Sequence, residues 1–173
     1  GGNARISGSS VFRPFINAMK IIGHLAVLER TVDLPTNEQP TDTYSTPDLK
    51  LQPYFNGDGV QIIHMPAAHT DGDSVVWFRG SDVISTGDLF GDHYPVIEIE
   101  KGGTIQGVID ALNNLMAQVF PGYMSQEGTL LIPVHGRIGD SSDLAYYQEM
   151  VTIIRDRIKD MKSKGMTLEQ VKA

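Results

Sequence analysis

The feature that most limits the fold of this chain is a change of period. Between residues 49 and 87 the apolar residues come in short runs: "LKLQPYF", "VQIIHM", "SVVWFRG" and "DVISTG". Turn formers separate them, Asn-Gly-Asp-Gly at 56–59 and Ser-Asp at 81–82. Runs of this length, rich in β-branched and aromatic residues, read as strands, and "NGDG" is a hairpin signal. Together they predict an antiparallel meander. From residue 105 the spacing switches. Ile105, Val108, Ile109, Leu112, Leu115, Met116 and Val119 form one helical stripe. "GTLLIPV" (128–134) is again a buried strand. Residues 139–165 predict a long helix with Leu144, Tyr147, Val151, Ile154, Ile158 and Met161 on one face. Asp and Ser cap its start and Gly165 ends it. "MTLEQVKA" adds a last turn. Strands followed by helix, strand and helix imply an α/β chain whose sheet is covered by helices on one face.

The N-terminal part is less regular. "SSVFRPF" predicts a short strand. Residues 14–30 carry Phe15, Met19, Ile22, Ala26 and Val27 near helical spacing, with Pro14 suited to a first turn. Residues 31–48 hold Pro35, Pro40 and Pro47 among polar residues and predict a long loop. A chain of 173 residues can bury a core as one domain, 1–173, and no linker divides it.

Charge and composition exclude several roles. The net charge is −7, with no basic stripe to neutralise phosphates, which argues against nucleic acid and against an anionic membrane surface. There is no cysteine, so disulfides, thiolate zinc fingers and cysteine nucleophiles are out. No apolar run approaches the ~18 residues of a membrane span. "GGNARISGSS" has neither the basic start nor the apolar core of a signal peptide. Beginning without Met, the chain reads as a piece or processed product of a longer protein. The expectation is a soluble molecule, cytoplasmic or periplasmic, with the compartment open.

Three predicted strands run into residues that can ligate a metal. "VQIIHMPAA" leads to His69, "DVISTG" to Asp88 and "TLLIPV" to His135. Imidazole and carboxylate suit zinc and related divalent ions. Ligands at the ends of separate strands sit on rigid elements and can converge in one cleft. Each also has a plainer reading. A single strand-end histidine is more often hydrogen-bonded or at the surface, and Asp88 could be a turn residue or helix cap. Asp71 and Asp73 fit an ordinary "DGD" turn. His24, His64, Asp71, Asp92 and His93 are given structural or peripheral roles, His93 lying close enough to Asp88 to overlook a cleft. The argument rests on the ordered set.

That set carries a resemblance. "AAHTDGDSVVWFRGSDVISTGDLF", "YPVIEIEKGGTIQGVIDAL" and "LIPVHG" follow in the order of the C-terminal part of a metallo-β-lactamase-superfamily hydrolase. The likeness runs from about residue 59 to the end. It is nearest the broad bacterial "β-lactamase-like" branch, with weaker likeness to glyoxalase II. The resemblance implies an αββα sandwich, here incomplete, with N-terminal strands missing. It implies two zinc ions, His69 serving the first, Asp88 bridging and His135 serving the second. Asp73 would support a ligand by hydrogen bonding. Such a metal pair sits ~3.5–4 Å apart, activates a bridging water and polarises the substrate.

The sequence also departs from the family. The His-x-His-x-Asp-His motif that supplies the other ligands is absent, and "GGNARI" matches what usually follows it. Val134 stands where relatives have Gly. The expectation is therefore weak or no zinc binding and no activity by this chain alone, with a small-molecule substrate only in the complete parent. The alternative is a non-catalytic module whose exposed sheet edge pairs with another chain, a homodimer being the expected form.

Overall fold

The computed structural model describes residues 20–51, 57–122 and 128–172. Strand β1 (Ile22–His24) leads directly into helix α1 (Leu25–Thr31). A 3-10 turn (Thr36–Glu38) precedes β2 (Asp42–Tyr44) and β3 (Asp48–Lys50). Then come β4 (Val60–His64), β5 (Ser74–Phe78), β6 (Val83–Gly87), a 3-10 turn (Ile99–Lys101) and α2 (Ile105–Met116). The chain closes with β7 (Leu130–Pro133), α3 (Ser141–Ser163) and α4 (Leu168–Lys172).

The meander forms as its turns dictate. β3, β4, β5 and β6 are antiparallel neighbours, and β7 joins β6 in parallel after the α2 crossover. A pleated strand sends alternate side chains to opposite faces. On one face Ile63 pairs across to Val75, and Ile84 lies between Trp77 and Leu131. This face packs on Val108, Leu112 and Leu115 of α2 and on Leu144, Tyr147 and Val151 of α3, all buried. The opposite face carries Ile62, Val76, Ser85 and Ile132 in register. Near β4 and β5 it is covered by β1 and α1, whereas Ile132 stays 41% exposed. The sheet thus has one complete cover and one partial cover.

Helix ends follow their caps. Thr104 accepts the Gly107 N–H at the start of α2. Asp140 and Asp143 form a reciprocal capping box on α3, each satisfying N–H groups that the first helical turn leaves open.

Two expectations are corrected in the N-terminal region. Residues 22–24 are strand rather than helix, and among the described residues of this stretch the helix is Leu25–Thr31. The expected strand at 9–15 and the start of the expected helix lie outside the described residues. Residues 31–48 are not one loop, because Asp42–Tyr44 pairs in parallel with Ile22–His24. The break at His24 has a local cause: its Nδ1 accepts the Ala26 N–H and caps α1.

His24 also fastens this region to the main sheet. Its ring stacks on His64 of β4, centroids 3.5 Å apart and planes within 12°. Tyr44 meets the His24 ring edge-on, and its hydroxyl hydrogen-bonds the Ser74 hydroxyl at 2.6 Å. His64 Nε2 donates to the Asp71 carbonyl, and His24 Nδ1 must keep its lone pair to cap α1. Burial lowers the pKa of both, with His64 itself lowering that of His24; Glu29 and Asp73 oppose weakly. The unfolded chain therefore binds more protons, so stability is full above about pH 6.5 and is lost as pH falls below it. Urea midpoints are expected to drop between pH 7.5 and 5.5. His24→Asn keeps a capping side chain but removes one titrating ring, so its drop should be shallower. An equal drop in the variant would refute the assignment.

Candidate metal centre

The loop between β4 and β5 carries His69, and backbone bonds fix its shape. Met65 N–H donates to Asp73 O at 2.8 Å and closes the loop. Thr104 N–H reaches Ala67 O and Ala68 O, and Glu98 N–H reaches His69 O. Asp73 braces the loop from within: its carboxylate accepts Thr70 N–H at 2.9 Å and the Thr70 hydroxyl at 2.8 Å. Its hydrogen bonds go to the residue after His69 and not to the imidazole.

His69 is 2% exposed. Its Nδ1 lies 2.7 Å from Val96 O, and a carbonyl only accepts, so Nδ1 carries the proton. Neutral imidazole then keeps its lone pair on Nε2, the arrangement of a histidine held for ligation. That Nε2 is buried and has no hydrogen-bond partner among the described residues. Glu98 Oε1 stands 3.3 Å away, but not along a hydrogen-bond direction. Lys101 pairs with the other oxygen of Glu98 and holds that carboxyl below its ordinary pKa. Arg30 of α1 pairs with Asp71 and donates to Lys101 O at 2.6 Å. A charged chain thus runs from α1 past the loop to His69. Sequence reasoning did not find Glu98. Its only sequence signal is Lys101, an ion-pair partner three residues on.

Asp88 follows β6 and is half-buried. It lines a cavity of about 320 Å³ between the partly covered sheet face and the β1–α1 region, shared with Ile62, Val76, Val27, Arg30 and Asp73. His135 follows β7 and is exposed. Val134 N–H donates to Gly87 O, which keeps the His135 segment beside the end of β6. His93 comes next to it, with ring centroids 6.1 Å apart. Gly91 permits this approach, since a Cβ there would lie 2.9 Å from His135 O.

The fit to a metal is partial. His69 has the chemistry of a ligand, yet among the described residues no three His, Cys, Asp or Glu side chains come together as a metal-holding group. Among the described residues these side chains do not by themselves close a metal site.

No family model and no curated protein matches the sequence. Solved structures do. A metallo-β-lactamase from Pontibacter korlensis is similar over 85% of this chain, with a TM-score of 0.65 and 15% identity. The DIM-1 metallo-β-lactamase is similar over 85%, with a TM-score of 0.63 and 16% identity. The chain therefore has the metallo-β-lactamase fold, in part: it spans 63% of the length of each of these two structures.

Proposed function

We propose that this chain is the C-terminal part of a metal-dependent hydrolase acting on a small molecule. His69, Asp88 and His135 would be its contribution to a dinuclear zinc site, and Asp73 would hold the His69 loop in place. The observation that supports this most is the buried Nε2 of His69, which has no hydrogen-bond partner among the described residues, while the other nitrogen is fixed by Val96 O. The set is shared out between two metal positions in this reading, so the chain alone should bind zinc weakly and hydrolyse nothing. Zinc titration by calorimetry on the 173-residue chain tests this. Shallow, unsaturated binding is expected. Two tight equivalents, with turnover of a thioester or lactam, would overturn it. In a chain extended upstream by a His-x-His-x-Asp-His segment, zinc affinity should rise and should fall again in Asp88→Ala and His135→Ala. No response to those substitutions would remove the two residues from the ligand set.

A second reading is favoured by the small sheet. β1 and β2 are each three residues long and pair only with each other among the described residues, which leaves backbone edges open. Such edges recruit strands from another chain. In this reading the molecule is a non-catalytic homodimer, and light scattering showing a monomer at high concentration would exclude it.

A further inference from the structure

A second cavity, of about 630 Å³, lies beside the residues that follow β6 and β7. Its walls come from the loop after β6, the segment after β7 and the first turns of α3. Four of its lining residues are aromatic: Phe90, Tyr94, Tyr146 and Tyr147. Tyr94 and Tyr146 are 69% and 73% exposed. Phe90 and Tyr147 are buried and meet edge to face at 5.5 Å. Large aromatics left in water beside a cavity offer a stacking surface that folding has not used.

The charges around the cavity are unequal. Its lining holds two carboxylates, Asp92 and Asp143, against the Arg137 guanidinium and the His93 imidazole. Arg137 is taken by Asp143 at 2.6 Å, and Asp143 also accepts the Asp140 N–H. The Asp92 carboxylate is the charge that Arg137 does not neutralise. A further group is unsatisfied. Tyr147 is 6% exposed, and its hydroxyl has no hydrogen-bond partner among the described residues. Burial pushes its pKa up to about 12, so it remains a neutral hydroxyl that can accept as well as donate.

The geometry points to a binding site for a small organic cation, a primary or secondary ammonium carried on an aromatic or short aliphatic group. The ammonium is attracted by Asp92 and by the faces of Tyr94 and Tyr146. The apolar part of the ligand lies against Phe90 and Met150. An anion would meet an excess of carboxylate and a guanidinium already paired. No metal enters this inference, and it does not depend on the hydrolase reading.

Three probes of one size test it on the full chain by protein-observed NMR: 2-phenylethylammonium, 2-phenylethanol and phenylacetate. The ammonium is expected to bind about threefold to fivefold more tightly than the alcohol, the range of a solvent-exposed cation–π contact. Phenylacetate should bind least, and the shifts should map to residues 90–94 and 143–150. Asp92→Asn should reduce the preference for the cation without abolishing it, because Tyr94 and Tyr146 remain. Tyr147→Phe should raise the melting temperature of the free chain, because it deletes a buried unpaired hydroxyl, and should leave the preference for the ammonium in place. Equal binding of alcohol and ammonium, tighter binding of phenylacetate, or no shifts with any probe would each overturn the assignment.

Discussion

Gly107→Ala is expected to destabilise the chain by more than about 3 kcal/mol, among the larger costs for a single substitution. Helix propensity predicts the opposite, since alanine is favoured over glycine by about 1 kcal/mol inside a helix. Position decides. Gly107 lies in the first turn of α2, and a Cβ there would overlap the Ala67 carbonyl. That carbonyl is backbone, already bonded to Thr104 N–H at 2.9 Å and to the Thr104 hydroxyl at 3.2 Å. Ala67 itself sits at φ 56°, so its loop has little room to move. Gly103 makes the same close approach to His69 O. The start of α2 is therefore seated directly on the loop that carries His69. Gly165→Ala is the control. It has φ 76° but nothing within 4 Å of an added Cβ, so only backbone strain of about 1 kcal/mol applies. Urea denaturation of the two variants compares them, and similar losses would refute the steric argument.

What the sequence revealed depended on periodicity. β4 to β7, α2 and α3 were legible because each keeps one period long enough to count, and β3 because the Asn-Gly-Asp-Gly turn follows it. β1 and β2 were not. Each is three residues, too short for a pattern, and Ile22, Ala26 and Val27 happen to continue a helical spacing across the His24 break. His24 caps α1 with an imidazole nitrogen, and histidine is not a usual capping signal. The candidate site divides in the same way. His69, Asp88 and His135 could be proposed because strands end there. Glu98 could not, because it follows an irregular segment and faces His69 only after the chain has folded back. Asp73 was expected to hydrogen-bond a ligand; its bonds to Thr70 show instead the local turn chemistry that Thr-Asp-Gly-Asp encodes.

Asp82→Ala is the second large effect expected, about 2–4 kcal/mol, from two losses that add. The first is an acceptor. The Asp82 carboxylate takes the Trp77 Nε1–H at 3.3 Å and the Thr129 hydroxyl at 3.1 Å. Thr129 is fully buried, and its Oγ1 in turn accepts the Phe120 N–H at 2.8 Å. One side chain thus joins β5, the β5–β6 turn, the entry to β7 and the segment after α2. The second loss is conformational, because Asp82 sits at φ 52°, which aspartate tolerates better than alanine. Two further variants separate the terms. Asp82→Asn keeps the left-handed preference and one acceptor oxygen, so it should cost about 1 kcal/mol. Asp82→Gly removes the strain but not the lost acceptor, so it should fall between the two. Trp77 is the single tryptophan, and its emission reports the change at its own indole. If Asp82→Ala unfolds at the same urea concentration as the unsubstituted chain, with unchanged emission, the carboxylate does not hold these four segments together.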